Sequence, residues 1–216
     1  MKKVILHFLT LFIITNIYSQ GDWFLQNSGT TTLLYSIYFT TNTVGWMGVG
    51  TSDNTKHLRY TNDGGNTWSP VTTGITDTWT AMYFTSWDVG YLAGWNGNIV
   101  KVTYDSGTGK YIFTLLKNVS ATLQDIYFVN STTGWAVGSG GKIFKTINSG
   151  FTWNEQTSNT ENPLYAVYFT DTNYGWAVGD NGTITHTTDG GTNWNLQSSP
   201  HSSWQYDVQF FDRNNG

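Results

Sequence analysis

The chain repeats itself at a fixed interval. Phe39, Phe84, Phe128, Phe169 and Phe210 are each followed six residues later by Gly45, Gly90, Gly134, Gly175 and Gly216, so the period is 45, 44, 41 and 41 residues. A period of about 40 to 50 residues built from strands alone marks a β-propeller, each unit being one blade. A unit opens with an apolar-aromatic strand, Leu34-Tyr-Ser-Ile-Tyr-Phe39 in the first. A Gly-aromatic strand follows, Gly45-Trp-Met-Gly-Val49 and later Gly134-Trp-Ala-Val137 and Gly175-Trp-Ala-Val178. The third strand contains Ile99-Val100, Ile143-Phe144 or Ile184-Thr185. Before it stand Asn96-Gly97, Gly140-Gly141 and Asn181-Gly182, dipeptides that accept positive φ at both centres of a two-residue hairpin.

These units predict an all-β fold, a propeller of four-stranded antiparallel blades at about 33–74, 78–118, 122–160 and 163–199, with a fifth begun at 204–216. Gly21-Asp-Trp23-Phe-Leu-Gln26 copies the fourth-strand pattern of Trp153-Asn-Glu-Gln156. Residues 21–27 are therefore expected to close the last blade, and residues 20–216 to form a truncated, open propeller whose missing neighbour leaves it marginal and prone to associate.

Composition narrows function by exclusion. None of the 216 residues is cysteine, which removes disulfides, thiol catalysis and cysteine metal sites. The net charge is -4 and charged residues are 11% of the chain, with Arg59 and Arg213 as its two arginines. No electropositive field is available to hold nucleic acid. His7, His57, His186 and His201 show no ligand spacing, so no metal and no cofactor are expected. Residues 1–19 open with Lys2 and Lys3, continue apolar from Val4 to Ile14 and end at Ser19. That segment is expected to be a secretory signal peptide, too short to span a membrane, and it predicts a secreted, cell-surface or periplasmic bacterial protein.

The turn between third and fourth strands is the most specific motif. It reads Thr61-Asn-Asp63-Gly-Gly65-Asn-Thr67-Trp68, Thr146-Ile-Asn148-Ser-Gly150-Phe-Thr152-Trp153 and Thr187-Thr-Asp189-Gly-Gly191-Thr-Asn193-Trp194, and is degenerate as Thr103-Tyr-Asp105-Ser-Gly107 in the second unit. This is the Asp-box pattern, whose short carboxylate or amide accepts backbone N–H bonds while Gly permits positive φ. Repeated on every blade, these residues are structural: copies spread around a ring cannot converge on one site.

With Leu-x-x-Val-x-Phe and Gly-Trp-Ala-Val-Gly strands beside these boxes, the chain resembles the photosystem II assembly-factor-like family of BNR, or Asp-box, propellers in the sialidase-like superfamily. The resemblance covers residues 23–216 and implies seven blades in the full-length protein, with a protein partner. A sialidase would need an arginine cluster and a Tyr nucleophile with a Glu partner; Glu155 and Glu161 are the only glutamates, and neither fits.

Function is argued from the site, since propellers host many activities. Three residues before the anchor Phe stand Ser36, Ala81, Asp125, Ala166 and Asp207. Asp125 and Asp207 are the enzyme candidates, a carboxylate pair suited to a glycoside hydrolase of the xyloglucanase-like type. The preferred reading is a non-catalytic module that binds or scaffolds a protein or glycan. A true photosystem assembly factor is a third. Asp53, Lys56, His57, Trp95, Asn96 and Asp180, in the loops between second and third strands, are expected to border a polar-aromatic ligand site. Trp87 and Trp95 are the off-pattern tryptophans. Circular dichroism of the mature chain should show less than about one fifth helix, as a propeller requires.

Overall fold

The computed structural model describes residues 25–50 and 57–216. The expected signal peptide, Trp23, and the loop positions Asp53 and Lys56 lie outside the described residues. Sixteen strands form four four-stranded antiparallel sheets, ordered β1-β2-β3-β4, β5-β6-β7-β8, β9-β10-β11-β12 and β13-β14-β15-β16. In chain order the blades are β1 Leu34–Phe39 to β4 Ser69–Val71, β5 Trp79–Phe84 to β8 Lys110–Asn118, β9 Leu123–Phe128 to β12 Asn154–Gln156, and β13 Leu164–Phe169 to β16 Asn195–Gln197. The first strands stand next to one another, giving the all-β, incomplete propeller that the repeat predicts.

The six-residue spacing from Phe to Gly has a steric cause. In all four blades the anchor Phe pairs directly with the Gly that opens the second strand, as Phe128 with Gly134 and Phe169 with Gly175. The Phe ring lies over that glycine so closely that a Cβ at Gly134 would stand 2.6 Å from it, and one at Gly175 2.4 Å. On its other face the ring meets the second-strand aromatic of the preceding blade. Tyr91 stacks on Phe128 at 4.0 Å and 18°, Trp135 on Phe169 at 3.4 Å and 9°, and Trp176 on Phe210 at 3.7 Å and 14°. The fourth-strand Trp then meets the Phe edge-on, Trp153 at 5.9 Å and Trp194 at 5.8 Å. Blade 2 lacks that Trp, and Tyr111 and Phe113 of β8 fill the place edge-on to Trp46, at 4.6 and 6.2 Å.

Hydroxyls and one carboxylate tie neighbouring first strands. The Ser36 hydroxyl donates to the Trp79 carbonyl, Thr80 to Leu123, Tyr38 to Phe84 and Tyr127 to Phe169. Blade 1 presents the uncovered form of the interface. Leu34, Ile37 and Phe39 are 54%, 60% and 41% exposed, where Leu164, Val167 and Phe169 of blade 4 are 0%, 2% and 1%. Beside it, Gln26 lies against Gly65 as Gln156 lies against Gly191. Residues 204–216 form no paired strand, yet Phe210 takes its anchor place on Trp176.

Two details differ from expectation. In blades 3 and 4 the dipeptide between second and third strands has both residues at positive φ, Gly140 at 66° with Gly141 at 65° and Asn181 at 53° with Gly182 at 68°, each within a single 3₁₀ turn. In blade 2 only Gly97 is left-handed, at 80°, because the Asp77 carboxylate holds the Asn96 and Asn98 amides. The second blade's outer hairpin also runs much longer than its siblings', with eight residues in β7 and nine in β8 against four and three elsewhere.

The Thr-x-Asp/Asn-x-Gly turns close on themselves. Thr187 Oγ1 donates to Asp189 and accepts the Gly191 amide at 2.8 Å, while Asp189 accepts the Asn193 amide at 2.9 Å. Asn148 performs the same task in blade 3, accepting from Thr152. Each turn then docks on the turn between first and second strands through Gly64 to Thr43, Ser149 to Thr132 and Gly190 to Asn173. Bonds from Thr67 and Thr61 hold the Asp63 carboxyl at about 2, and bonds led by the Asn193 amide hold Asp189 at about 2.

Thr187 is fully buried. Thr187→Ala should therefore cost about 1 to 3 kcal/mol by orphaning the Gly191 amide, measured by urea unfolding. Because the folded pKa values of Asp63 and Asp189 are depressed, their contribution is complete above the unfolded carboxyl value near ~4 and lost as pH falls toward about 2. Asp189→Asn should keep the fold and flatten that acid limb of the melting curve.

Candidate functional site

The loops between second and third strands share one face with the inter-blade linkers. Backbone bonds from Gly50 to Leu33, Trp95 to Thr78, Ser139 to Thr122 and Asp180 to Pro163 stitch loop to linker in each blade. This upper face is opposite the Asp/Asn turns, and the four blades differ most here.

Trp95 is 49% exposed and meets Tyr35 of blade 1 edge-on at 6.1 Å. Its loop is rigid. Asp77, itself 2% exposed, accepts the amides of Thr78 and Asn96 at 2.8 Å each and of Asn98 at 3.3 Å. The Asn96 carbonyl accepts from the Asn118 amide. Asp77 was not among the sequence candidates, although an acid seven residues before the anchor Phe is where Asn162 braces the blade 4 loop by bonding Thr183 and Asn181.

A second aromatic group lies on blade 4. Tyr165 stacks on Tyr206 at 5.5 Å and 24°, and Trp204 stands edge-on to Tyr206 at 5.8 Å. Trp204 and Tyr206 are 56% and 66% exposed. Asp180 accepts the Asn181 amide, and its charge adds to the burial that raises the Tyr165 hydroxyl. Tyr35, Tyr165 and Tyr206 all stand four residues before an anchor Phe, a column in which Thr80 and Gln124 are the other members. That column is visible in the aligned repeat and is the signal sequence reasoning missed.

The expectation for His57 needs correction. It is 5% exposed with Nδ1 3.4 Å from the Gly50 carbonyl, so its ring is buried and offers little surface to a ligand. Trp87, 56% exposed, lies on the opposite face against Tyr104 at 5.5 Å. Trp95, Asn96 and Asp180 are thus on the upper face, with Trp95 and Asn96 on one blade and Asp180 two blades away.

Of the two carboxylates, Asp125 is arranged for holding strands. Asp125 Oδ1 accepts the Ile126 amide at 2.8 Å and Oδ2 accepts the Val167 amide of the next blade at 2.9 Å. It sits where Ser36 donates to Trp79. Burial pushes the Asp125 carboxyl up to about 6, against the pull of those two amides, and Asp207 adds a smaller push. Asp207 is exposed and accepts the Val208 amide through Oδ1. No group of three or more His, Asp and Glu side chains suited to a metal ion occurs among the described residues.

A sequence family described as photosynthesis system II assembly factor YCF48 matches residues 111–196 and 148–215. A search of curated proteins finds no match. Among solved structures, YCF48 bound to D1 peptide is similar with a TM-score of 0.60 and 17% identity, covering 80% of this chain and 56% of that one. YCF48 from Cyanidioschyzon merolae gives 0.59 and 17%, covering 88% and 64%. An ancestral GH74 enzyme gives 0.63 and 16%, covering 82% of this chain and 25% of the enzyme. The chain thus spans 56% and 64% of the YCF48 structures it matches. The family match over residues 111–215 and the shared architecture make the chain similar to the photosystem II assembly-factor-like BNR-repeat propellers.

Proposed function

We propose that this chain is an exported, non-catalytic propeller that binds a protein partner across its upper face. The observation that carries the reading is an exposed, braced aromatic set against a carboxylate already occupied: Trp95 is presented on a loop pinned by Asp77, whereas both Asp125 oxygens accept backbone amides. Rigid aromatic groups on a fixed loop lose little freedom on binding. The solved YCF48 complex with D1 peptide supports a polypeptide ligand. The -4 net charge and two arginines argue for a partner unlike one read by an arginine-rich surface.

A glycoside hydrolase is the second reading, favoured by one observation: the raised Asp125 carboxyl lies near enough to Asp207 to feel its charge. A carboxyl raised to about 6 with a second acidic side chain nearby is the acid/base arrangement such enzymes use.

Three experiments test these readings. Full-length protein screened on peptide and glycan arrays should lose about tenfold in affinity for its ligand on Trp95→Ala; equal binding by both proteins would remove the upper face from the function. The Asp125 carboxyl, followed by carbon-13 NMR, should titrate at about 6, and Asp207→Asn should move it lower by removing the added push. Since this folded pKa is raised, Asp125 favours the fold below about 4 and that contribution is lost as pH rises to about 6. Hydrolysis of xyloglucan that disappears with Asp125→Asn in a folded protein would establish the second reading instead.

A further inference from the structure

The repeat supplies its own control: where one blade departs from its siblings at a position the fold does not require, another demand is acting. Two such departures meet on the outer rim between blades 2 and 3, away from the upper-face aromatics. Blade 2 replaces the compact box turn with the long β7–β8 hairpin. β8 is nine residues, hydrogen-bonded on one side only, and free of proline. The other outer strands are three residues each, Ser-Pro-Val, Asn-Glu-Gln and Asn-Leu-Gln, which are edges blunted by shortness, polarity or proline. Blade 3 carries Phe151 where its siblings have Asn66 and Thr192. Those two cap their own turn, bonding the Asp63 and Asp189 carbonyls. In blade 3 the Asn148 carbonyl accepts the Phe151 backbone amide instead, at 3.2 Å, and the Phe151 ring stands 77% exposed.

The two departures share one groove. Lys101 of β7 lies 5.8 Å over the Phe151 ring, and Leu116 of β8 reaches against Gly150 beside it. Ile112, opposite Thr103 on the same hairpin, is 47% exposed. Toward the upper face the groove opens into a cleft of about 380 Å³ lined by Lys117, Phe144, Trp153 and Glu155. The cations Lys101, Lys110 and Lys117 lie along it, and the hairpin's one acid, Asp105, is spent on its turn, accepting Gly107 and Thr108.

We propose that this groove is a strand-addition site for an extended, acidic segment of a partner protein whose apolar residues alternate with Asp or Glu. Unpaired backbone groups along β8 call for another strand, since each N–H and C=O is an obligatory hydrogen-bonding group. Ile112 and Phe151 receive every second side chain, and the lysines select negative charge over positive.

The test uses the full chain with a short fluorescein-labelled peptide alternating Glu and Val, and its Lys-Val counterpart, read by anisotropy and by amide hydrogen exchange. The Glu-Val peptide should bind at least about tenfold more tightly than Lys-Val and slow exchange along β8. Phe151→Asn, which installs the sibling residue at an exposed site, should weaken it about tenfold, and Lys110→Glu with Lys117→Glu should reverse the charge preference. Trp95→Ala should change nothing, which keeps this groove distinct from the upper face. Failure of the Glu-Val peptide to bind, equal affinity for both peptides, or unchanged β8 exchange would each overturn the proposal. So would a concentration-dependent dimer protected at β8 without peptide, which would assign the edge to a second copy of the chain.

Discussion

An aromatic ring laid flat on a glycine backbone is the contact on which the arc of blades depends. Each anchor Phe after the first is sandwiched between its own blade's Gly and the second-strand aromatic of the blade before it, so the layer thickness fixes how closely blades approach. A side chain at Gly134 would enter the Phe128 ring at 2.6 Å, lifting that ring into Tyr91, which already stacks at 4.0 Å. Such pairs contribute about 0.5 to 1.5 kcal/mol beyond the area they bury. Repetition turns a modest term into the specification of a fold, because every interface uses the same three pieces: ring, glycine and aromatic partner.

Stacking fixes distance but not register, and polar groups supply the second. The ties between first strands are chemically varied while their purpose is constant. Ser36 donates to a carbonyl; Asp125, at the same place in its blade, accepts an amide. Either satisfies one main-chain group of the adjoining blade that the sheet itself leaves free. On the lower face the Thr-Asp turns anchor the opposite end of each sheet, so a blade is held at both ends and stacked in the middle. This division leaves the upper-face loops free to vary, which is where Asp77 and Asn162 act as local braces.

The repeat was legible because its constraints are local pairings at fixed spacing. Phe and Gly face each other across one hairpin, and Thr, Asp and Gly close one turn, so the sequence displays both directly. What stayed hidden depends on neighbours from another blade. Asp125 reads as an acid in a column of small residues; that its two oxygens meet Ile126 and Val167 follows only once blade 4 is in place. His57 reads as a polar loop residue, yet its ring is buried with Nδ1 beside the Gly50 carbonyl. The Tyr35, Tyr165 and Tyr206 column was present in the repeat but pointed nowhere until the upper face was assembled. The blade's end at 118 was legible, but the length of β8 was concealed by the loss of the box itself, since without Trp after Gly107 no motif marks where the fourth strand begins.

Blade 2 shows how a repeat can change its surface without losing its core. The missing box Trp would open a gap beside Trp46, and Tyr111 and Phe113 fill it only because β8 extends far enough to bring them there. Alternation along a strand then obliges the intervening residues, Ile112 and Thr114, to face the other way, toward blade 3. Exposed apolar surface at Ile112 is therefore a geometric consequence of repairing the core from a longer strand. Phe151 is not: its blade keeps a complete box and a buried Trp153, and the contact made by its ring is with Lys101 of the neighbouring blade. The repair accounts for one side of the groove, and only a demand from outside the blade accounts for the other.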